Sequence, residues 1–324
     1  MSAPLWISEA EVAALMNLGD AIAALERGLE TEARGAAHNM VKTHVTWGDG
    51  NTLHAIGAVF PSAGYAGTKT WAHTAHGAAP LLILFDSNDG SVKAVIDAFR
   101  LGQLRTGGMS GVATRWLATS DADELAIVGT GKQAFMQVAA VDAVRRLKRV
   151  RIFSPNPAHR VRFIDRLRSQ FAFDVVDAPS VATAVDGASI ITLVTRATEA
   201  FLFSDMIGQG AHINAIGAIT PDRVEFAPDV LARCAAVVVD SRPSVQKLSK
   251  EFIDYYGTGQ RSWDDVQPLC EVVAPKRARP PGADLTLFKA MGMGIADLAL
   301  GIDVYERARQ AGTGQPIDPP HRAA

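Results

Sequence analysis

The chain has 324 residues, of which 48% are hydrophobic and 20% are charged, and its formal net charge is −2. That length allows two domains of ordinary size, each with its own core. A net charge this close to zero excludes the strong positive field typical of nucleic-acid-binding proteins, so no nucleic-acid partner is expected.

Cysteine usage and the N-terminus bear on the cellular compartment. Cys234 and Cys270 are the two cysteines, and they lack a C-x-x-C spacing. This argues against a disulfide framework and against a structural zinc site. The first ten residues lack a basic region followed by a long apolar run, and no apolar segment reaches transmembrane length. We therefore expect a cytoplasmic protein without a metal or a membrane partner.

The first third of the chain predicts a helix followed by a sheet. Residues 8–11, Ser-Glu-Ala-Glu, have the form of a helix capping box, and the apolar pattern predicts one helix to about Arg34, which Gly35 ends. Strand-like runs separated by glycines then predict a mostly antiparallel sheet. These runs lie at residues 42–47, 52–60, 68–73, 80–85 and 92–96, the last after a hairpin turn at 86–90.

Residues 102–118 are expected to form the helix that leads into a second domain. From Glu124 onward, alternating strands and helices predict a parallel sheet with crossover helices, and so an α/β fold. The predicted strands are residues 125–128, 150–153, 174–176, 190–194, 212–216 and 236–239, with a further apolar run at 285–288. We expect a final helix over residues 295–310 and a loosely ordered tail over 312–324.

The most specific local motif is the loop that ends the first strand of this second domain. Gly129, Gly131 and Ala134 follow an apolar run at G-x-G-x-x-A spacing, with a helix and a second strand after them, as in dinucleotide-binding folds. Glycines let backbone amides approach a pyrophosphate at the helix N-terminus. The alternative is a tight turn that binds nothing. The expected cofactor-binding residues here are Gly129, Thr130, Gly131, Lys132, Gln133 and Ala134.

The end of the next predicted strand indicates which dinucleotide binds. NAD-binding sites usually carry Asp or Glu there, which accepts hydrogen bonds from the ribose, whereas this chain has Ser154. Ser154, Asn156, His159 and the cationic Arg160 could surround a 2′-phosphate, so we expect NADP(H) to be favoured over NAD(H). In the alternative, Arg160 simply lies on the solvent face of the following helix.

Two cations ahead of the dinucleotide loop are harder to explain as structure. Lys69 lies in a segment otherwise suited to a buried strand, and Arg105 lies at a predicted helix start among small residues. Each could be a surface charge, but together they predict a pocket for an anionic substrate. An arginine fork pairs well with a carboxylate, and a lysine can add charge or transfer a proton.

At these residues the chain resembles the ornithine cyclodeaminase/mu-crystallin family over nearly its whole length. The matching motifs are residues 67–69, Arg105-Thr106, residues 128–134, residues 213–217 with Pro221 and Glu225 after them, and residues 288–292. The resemblance implies a Rossmann domain, residues 119–293, inserted in an α+β substrate-binding and dimerisation domain, residues 1–118 plus 294–324. It also implies a homodimer and an active site in the interdomain cleft.

The resemblance also assigns expected roles to individual residues. Lys69 and Arg105 would bind the substrate carboxylate beside the nicotinamide, with Thr106 next to them. Lys42 stands where the family usually has a further arginine, which keeps the charge but loses the bidentate fork. The remaining expected cofactor-binding residues are Thr195, Asn214, Ile216 and Gly217.

One departure from the family pattern bears on the reaction. Cyclodeaminases of the family carry an acid/base aspartate where this chain has Ile219, and isoleucine cannot transfer a proton. Segments such as residues 53–55 and 69–74 look most like the Δ1-pyrroline-2-carboxylate reductase branch. The resemblance thus implies NADPH-dependent reduction of Δ1-pyrroline-2-carboxylate, or its six-membered analogue Δ1-piperideine-2-carboxylate, to L-proline or L-pipecolate.

Two other functions stay open at this point, as does the proton source. The alternatives are an alanine or other amino-acid dehydrogenase and a non-catalytic NADP-dependent binding protein. Lys69 could donate the proton if its surroundings lower its pKa, and His54 is a second candidate because its ordinary pKa is nearer neutrality. Asp97 is expected to orient Arg105 or to cap a loop.

Overall fold

The computed structural model describes residues 3–259 and 261–320. The helices are α1 Glu9–Leu15, α2 Leu18–Ala33, α3 Phe99–Leu117, α4 Ala134–Asp142, α5 Pro157–Arg168, α6 Val181–Val185, α7 Pro228–Arg233, α8 Arg242–Leu248, α9 Lys250–Tyr256, α10 Cys270–Val273 and α11 Gly294–Ala311. The strands are β1 Leu5–Ile7, β2 His38–Asn39, β3 Thr43–Trp47, β4 Asn51–Phe60, β5 Tyr65–Thr74, β6 Gly77–Ala78, β7 Leu81–Asp86, β8 Val92–Asp97, β9 Glu124–Val128, β10 Arg149–Phe153, β11 Asp174–Asp177, β12 Ile190–Leu193, β13 His212–Ala215, β14 Cys234–Val239, β15 Val266–Pro268, β16 Leu285–Lys289 and β17 Gln315–Pro316.

The chain divides by its internal contacts into two compact units, Met1–Arg105 with Met293–Ala324, and Thr106–Gly292. The division falls inside α3, whereas the sequence suggested a boundary after residue 118. The reason is that the later part of α3 packs on the second unit. A Cβ on Gly107 would lie only 2.8 Å from the carbonyl oxygen of Met136, which leaves room for glycine alone.

The first unit is built on a mostly antiparallel sheet, as expected, in the order β17-β1-β8-β7-β5-β4-β2, with β3 on β4 and β6 on β5. Only the pair β1–β8 within this sheet runs parallel among the described strands. Helix α11 packs on α2 and on β4, β5 and β7. Its first residue, Gly294, approaches the Gly57 carbonyl so closely that a Cβ would clash with it. This close approach sets the first turn of α11 against the sheet.

Two details of the first unit differ from the sequence-based expectation. The expected single N-terminal helix is two helices, because Asn17 caps α2 and forms a capping box with Asp20, while the predicted box at Ser8 starts α1. The C-terminal segment is not simply a loose tail. Gln315 pairs with Trp6 of the edge strand β1, whose unpaired backbone groups offer it hydrogen bonds. The last four residues lie outside the described ones.

The second unit is a doubly wound parallel sheet in the order β11-β10-β9-β12-β13-β16-β14-β15. Every pair of neighbouring strands described in this sheet is parallel, and β9, β12 and β13 form its buried centre. The chain runs from β9 outward to β11 and then crosses back to β12, which creates a topological switch point at the carboxyl ends of β9 and β12. The expected α/β fold with a Rossmann-type sheet is confirmed. The short strand β15 was not predicted.

Candidate active site

Three charged side chains from distant parts of the first unit meet at one buried point. Lys69 projects from β5, Arg105 from α3 and Asp297 from the first turn of α11. The Lys69 ammonium donates a hydrogen bond to Asp297 Oδ1, and Arg105 Nε donates to the same oxygen at 3.2 Å. The side chains are 4%, 15% and 0% exposed respectively. Two of the predicted substrate residues are thus brought together by a carboxylate.

The local folding explains why these side chains converge. Side chains alternate between the two faces of a strand, so Lys69 points to the face of β5 that α11 covers. The close approach of Gly294 to β4 brings the start of α11 down onto that face. Asp297 of α11 therefore contacts Lys69, and Arg105, the last residue of α3 that belongs to this unit, contacts the same Asp297 oxygen.

Burial and charge set the protonation states of this cluster. Burial lowers the pKa of Lys69 to about 8, and the positive charges of Arg105 and Lys42 act in the same direction, although Asp297 favours the charged amine. Burial alone would favour a neutral Asp297, but Arg105 and Lys69 outweigh it and hold its pKa below the ordinary value. Near pH 7 the cluster therefore contains an ionised carboxylate and two cations, with Lys69 close to its titration point.

Sequence reasoning missed Asp297 and assigned part of its role to Asp97. Asp97 instead accepts a hydrogen bond from the backbone N–H of Glu9, the first residue of α1, at 3.3 Å. The overlooked signal was a single acid in the apolar run Ile295-Ala-Asp-Leu-Ala-Leu300. A charge in such a run is rarely buried without a partner, which makes it a marker for a cation elsewhere in the chain.

His54 belongs to a row of stacked aromatic side chains. Its ring stacks on Trp71 with centroids 4.7 Å apart and on His44 at 5.5 Å, and its Nε2 lies 2.8 Å from Thr52 Oγ1. Burial, followed by repulsion from Lys42 and neighbouring histidines, lowers its pKa to about 4. A group that is neutral at pH 7 has no imidazolium proton to give, which favours Lys69 as the proton source.

The other two predicted substrate residues are Lys42 and Thr106. Lys42 precedes β3 and acts electrostatically on both Lys69 and His54. Thr106 follows Arg105 directly, and its carbonyl accepts a hydrogen bond from Gln137 Nε2 at 3.3 Å.

The glycine loop has the predicted strand–turn–helix form. Gly129 has a φ of +109°, its N–H donates to the Phe153 carbonyl at 2.8 Å, and a Cβ there would lie 2.6 Å from the Val194 oxygen. Gly131 is different, because no neighbour lies within 4 Å of its Cβ position. Helix α4 begins at Ala134. The fold itself therefore requires Gly129, while the space beside Gly131 is open, as the predicted approach of a pyrophosphate to the backbone requires.

The loops after β12 and β13 are joined by a buried glutamate. Glu225 is 0% exposed and accepts hydrogen bonds from Thr195 N and Oγ1 at 2.7 and 2.8 Å, and from the backbone N–H groups of Gly217 and Ala218 at 2.8 and 3.1 Å. A Cβ on Gly217 would clash with the Thr195 backbone. Burial raises the pKa of Glu225, although the charge of Lys289 opposes this. Glu225 thus holds two predicted cofactor residues at the switch point.

Asn214 lies in β13 and Ile216 directly follows this strand, and both residues are buried. The Asn214 amide donates to Thr114 Oγ1 at 2.9 Å, and its Oδ1 lies 3.2 Å from His212 Nε2. This buried hydrogen-bond chain ties β13 to α3. The side chain of Asn214 is therefore already engaged within the second unit, and Ile216 is 6% exposed.

At the end of β10, the residues expected to receive a 2′-phosphate have partners of their own. Arg160 donates from Nη1 to the Ser154 carbonyl at 2.6 Å and from Nε to Asp177 at 2.7 Å. The Asn156 side chain caps α5 by accepting the His159 N–H at 3.0 Å. Asp177, an acid at the end of β11, was not considered from sequence, and it balances the charge of Arg160.

Two features are absent from the described residues. Residues 3–259 and 261–320 contain no group of three or more His, Cys, Asp and Glu side chains arranged to hold a metal ion. Within the same ranges no helix is both long enough and apolar enough to cross a membrane.

The sequence over residues 4–312 matches the model of the ornithine cyclodeaminase/mu-crystallin family. The chain belongs to this family. The ketimine reductase mu-crystallin of Mus musculus is 34% identical to it over 243 residues, covering 75% of this chain and 73% of the relative. A Δ1-pyrroline-2-carboxylate reductase of Bacillus cereus is 28% identical over 240 residues, or 74% of each chain. Among solved structures, an archaeal alanine dehydrogenase dimer with bound NAD has a TM-score of 0.89 and 25% identity, covering 97% of this chain and 99% of that one.

Proposed function

We propose that the protein reduces a cyclic imino acid with NADPH, converting Δ1-pyrroline-2-carboxylate, and also Δ1-piperideine-2-carboxylate, to L-proline or L-pipecolate. The observation that carries the proposal is the buried Lys69–Asp297–Arg105 cluster in a chain whose glycine loop leaves open space at Gly131. The similarity to a ketimine reductase and to a pyrroline-carboxylate reductase supports the same reaction class.

The residues of the cluster have separable roles in this proposal. Arg105 and Lys69, with Lys42 adding charge, hold the substrate carboxylate, which fixes the position of the adjacent C=N carbon. When bound, the nicotinamide supplies a hydride to that carbon. Lys69 donates a proton to the imine nitrogen, because burial brings its pKa to about 8, close to the working range of a general acid. One hydride and one proton give the saturated amino acid.

The position after β13 argues for reduction rather than cyclodeamination. Ile219 stands where cyclodeaminases of the family carry their acid/base aspartate, and its side chain is 37% exposed. An aliphatic side chain can neither accept a proton nor activate water. The reaction is therefore expected to end at the reduced product, without loss of ammonia.

The similarity to alanine dehydrogenase keeps a second candidate function in view. The same cations could hold the carboxylate of pyruvate, with ammonia as co-substrate. A decisive assay follows NADPH oxidation with Δ1-pyrroline-2-carboxylate, Δ1-piperideine-2-carboxylate, and pyruvate plus ammonia, with NADH in parallel. A higher kcat/KM for pyruvate would favour the dehydrogenase, and NADPH binding without reduction of any cyclic imine from pH 5 to 9 would favour a non-catalytic binding protein.

The preference for NADP(H) rests on Ser154 and Arg160 and is tested separately. A bound 2′-phosphate would replace Asp177 as the partner of Arg160. We expect Arg160→Ala to raise the KM for NADPH about tenfold, the effect of one charge-assisted hydrogen bond, and to leave the KM for NADH nearly unchanged. Arg162→Ala on the same helix is the control. Equal effects of Arg160→Ala on both dinucleotides would contradict the preference.

We further propose that the protein is a homodimer that covers an apolar face of the β3–β4 hairpin. Val45 and Leu53 lie opposite each other in the register, and with Trp47 they form an exposed apolar surface, which is typical of an interaction site. The dimeric state of the archaeal alanine dehydrogenase supports this. Val45→Glu is expected to yield a monomer in light scattering, whereas Thr46→Glu, on the other face of β3, should leave the dimer intact.

A cytoplasmic location also belongs to the proposal. It rests on the two cysteines of the sequence, Cys234 and Cys270, which lack the number and spacing of a disulfide framework, the feature that an oxidising compartment favours. Cell fractionation with an antibody against the protein tests it, and recovery in a secreted or envelope fraction would contradict it.

A further inference from the structure

Asp297 is a buried charge that the proposed reaction does not consume. Its side chain is 0% exposed, and both of its ion pairs use the same oxygen, Oδ1. The other oxygen, Oδ2, has no hydrogen-bond partner among residues 3–259 and 261–320. Burying a carboxylate oxygen without a hydrogen-bond partner costs free energy of folding. Stabilisation of the fold alone therefore does not explain an aspartate at this position.

We propose that Asp297 is a positioning residue that keeps Lys69 charged and orients both Lys69 and Arg105 toward the substrate carboxylate. This inference rests on the proposed function and deepens it. Asp297 does not itself touch the reacting atoms in this account. It acts through the two cations, which depend on it for their charge and their direction.

The charge argument follows from the groups that surround the Lys69 amine. Those acting most strongly on it are Asp297 from α11, Arg105 from α3 and Lys42 ahead of β3. Asp297 is the one negative charge in this set. Burial of an ammonium disfavours its charged form, and two neighbouring cations add to that effect. Without Asp297, Lys69 would be neutral over much of the physiological pH range and could neither attract a carboxylate nor donate a proton.

The orientation argument follows from the atoms that make the contacts. Asp297 binds Arg105 through Nε, which is the inner edge of the guanidinium. A hydrogen bond at that edge fixes the plane of the group and therefore the direction of the two Nη atoms, which form the outer edge. The shared oxygen also fixes the separation of Arg105 from the Lys69 amine. The two donors are thus held in register before a substrate arrives, which reduces the entropy lost on binding.

The test compares Asp297→Asn with Asp303→Asn, which replaces a partly exposed aspartate on the same helix α11 that pairs with Arg27 and Arg307. The readout is the affinity of the NADP⁺ complex for L-proline, measured by calorimetry from pH 6 to 10. In the wild-type protein the affinity should fall as pH rises through about 8, the pKa of Lys69. In Asp297→Asn the midpoint should move down by one pH unit or more, which is roughly a threefold loss of affinity at pH 7.5 and close to a tenfold loss at about pH 9. Asp303→Asn should leave the midpoint unchanged.

Lys69→Arg makes the test specific, because arginine stays charged throughout this range. It should remove the fall in affinity near pH 8, and Asp297→Asn should then produce no shift in that background. A shift of equal size in the Lys69→Arg background would overturn the inference, as would an unchanged midpoint in well-folded Asp297→Asn.

If Asp297→Asn does not fold, Asp297→Glu decides the question. Glutamate keeps the negative charge but places the carboxylate one methylene group further from the backbone. The midpoint should therefore stay near pH 8, while the affinity for L-proline falls several-fold. A midpoint below pH 7 would overturn the inference. The proposed function fails independently, since a wild-type protein that binds L-proline with this pH dependence but reduces no cyclic imine contradicts the reaction and not the role of Asp297.

Discussion

The two predicted binding regions of this protein are built in opposite ways. The dinucleotide loop, residues 125–134, is one continuous strand–turn–helix whose chemistry comes from its own backbone. The carboxylate cluster is assembled from Lys69, Arg105 and Asp297, which belong to a strand and two helices far apart in the chain. A contiguous site depends on local conformation, whereas an assembled site depends on packing. Substitutions should therefore separate the two regions.

The largest expected effect is on the assembled cluster. Arg105→Ala removes a charged donor and leaves Asp297 with one partner fewer, so kcat/KM for the cyclic imino acid should fall about 10²–10³-fold, the effect of losing roughly 3–4 kcal/mol. The KM for NADPH should change little. Steady-state kinetics with both substrates varied provides the measurement, and Arg115→Ala, an exposed position on the same helix, is the control. Equal losses for NADPH and imino acid would break the proposed separation of the two regions.

Glu225 tests whether the cofactor loops also depend on packing. Glu225→Gln keeps the shape but replaces a carboxylate that accepts four hydrogen bonds, so the free energy of unfolding should fall by about 2–4 kcal/mol. The dinucleotide should also bind more weakly, because Thr195 and Gly217 lose their common anchor. Denaturant unfolding and dinucleotide titration measure the two effects. Glu199→Gln, at an exposed position in the same region, should show neither.

Acid pH tests the buried polar chain beneath those loops. Burial lowers the pKa of His212 from 6.5 to about 3, so between these values the unfolded chain binds a proton that the folded chain does not. Stability should therefore fall as pH falls through this window, by about 2 kcal/mol from this residue at pH 5. Denaturant unfolding from pH 7 to 5 should give a shallower pH slope for His212→Gln. An identical slope would contradict a neutral His212 in the folded protein.

The smallest effect on stability is expected at Gly131, where a substitution should weaken dinucleotide binding without unfolding the protein. Gly131→Ala places a methyl group in open space, so Tm should stay within about 1–2 °C, as for other surface changes, while the Kd for NADPH rises about tenfold. Gly129→Ala should lower Tm as well, because its φ of +109° and the nearby Val194 oxygen leave no room for a side chain. If both variants lost stability equally, the space at Gly131 would not be a ligand site.

Much of the fold could be predicted from local pattern. The alternation of strands and helices after Glu124, the antiparallel sheet before it and the family membership are all confirmed. The errors were of two physical kinds. Asn17 offers a cap that competes locally with a continuous helix, and β17 forms only because the edge of β1 provides hydrogen-bond partners. The roles of the individual site residues stay predictions.

The sequence by itself determined the strand–turn–helix form of the predicted dinucleotide loop, because G-x-G-x-x-A after an apolar strand carries its geometry in adjacent residues. It also indicated Lys69 and Arg105 as cations in segments whose other residues are suited to burial. Only the tertiary structure decided what accompanies them. Asp297 joins the cluster because Gly294 lets α11 approach β4. Asp177 forms an ion pair with Arg160 because β11 ends beside β10. The physical reason is that charge pairing acts over a few ångströms in space, and separation along the chain does not report that distance.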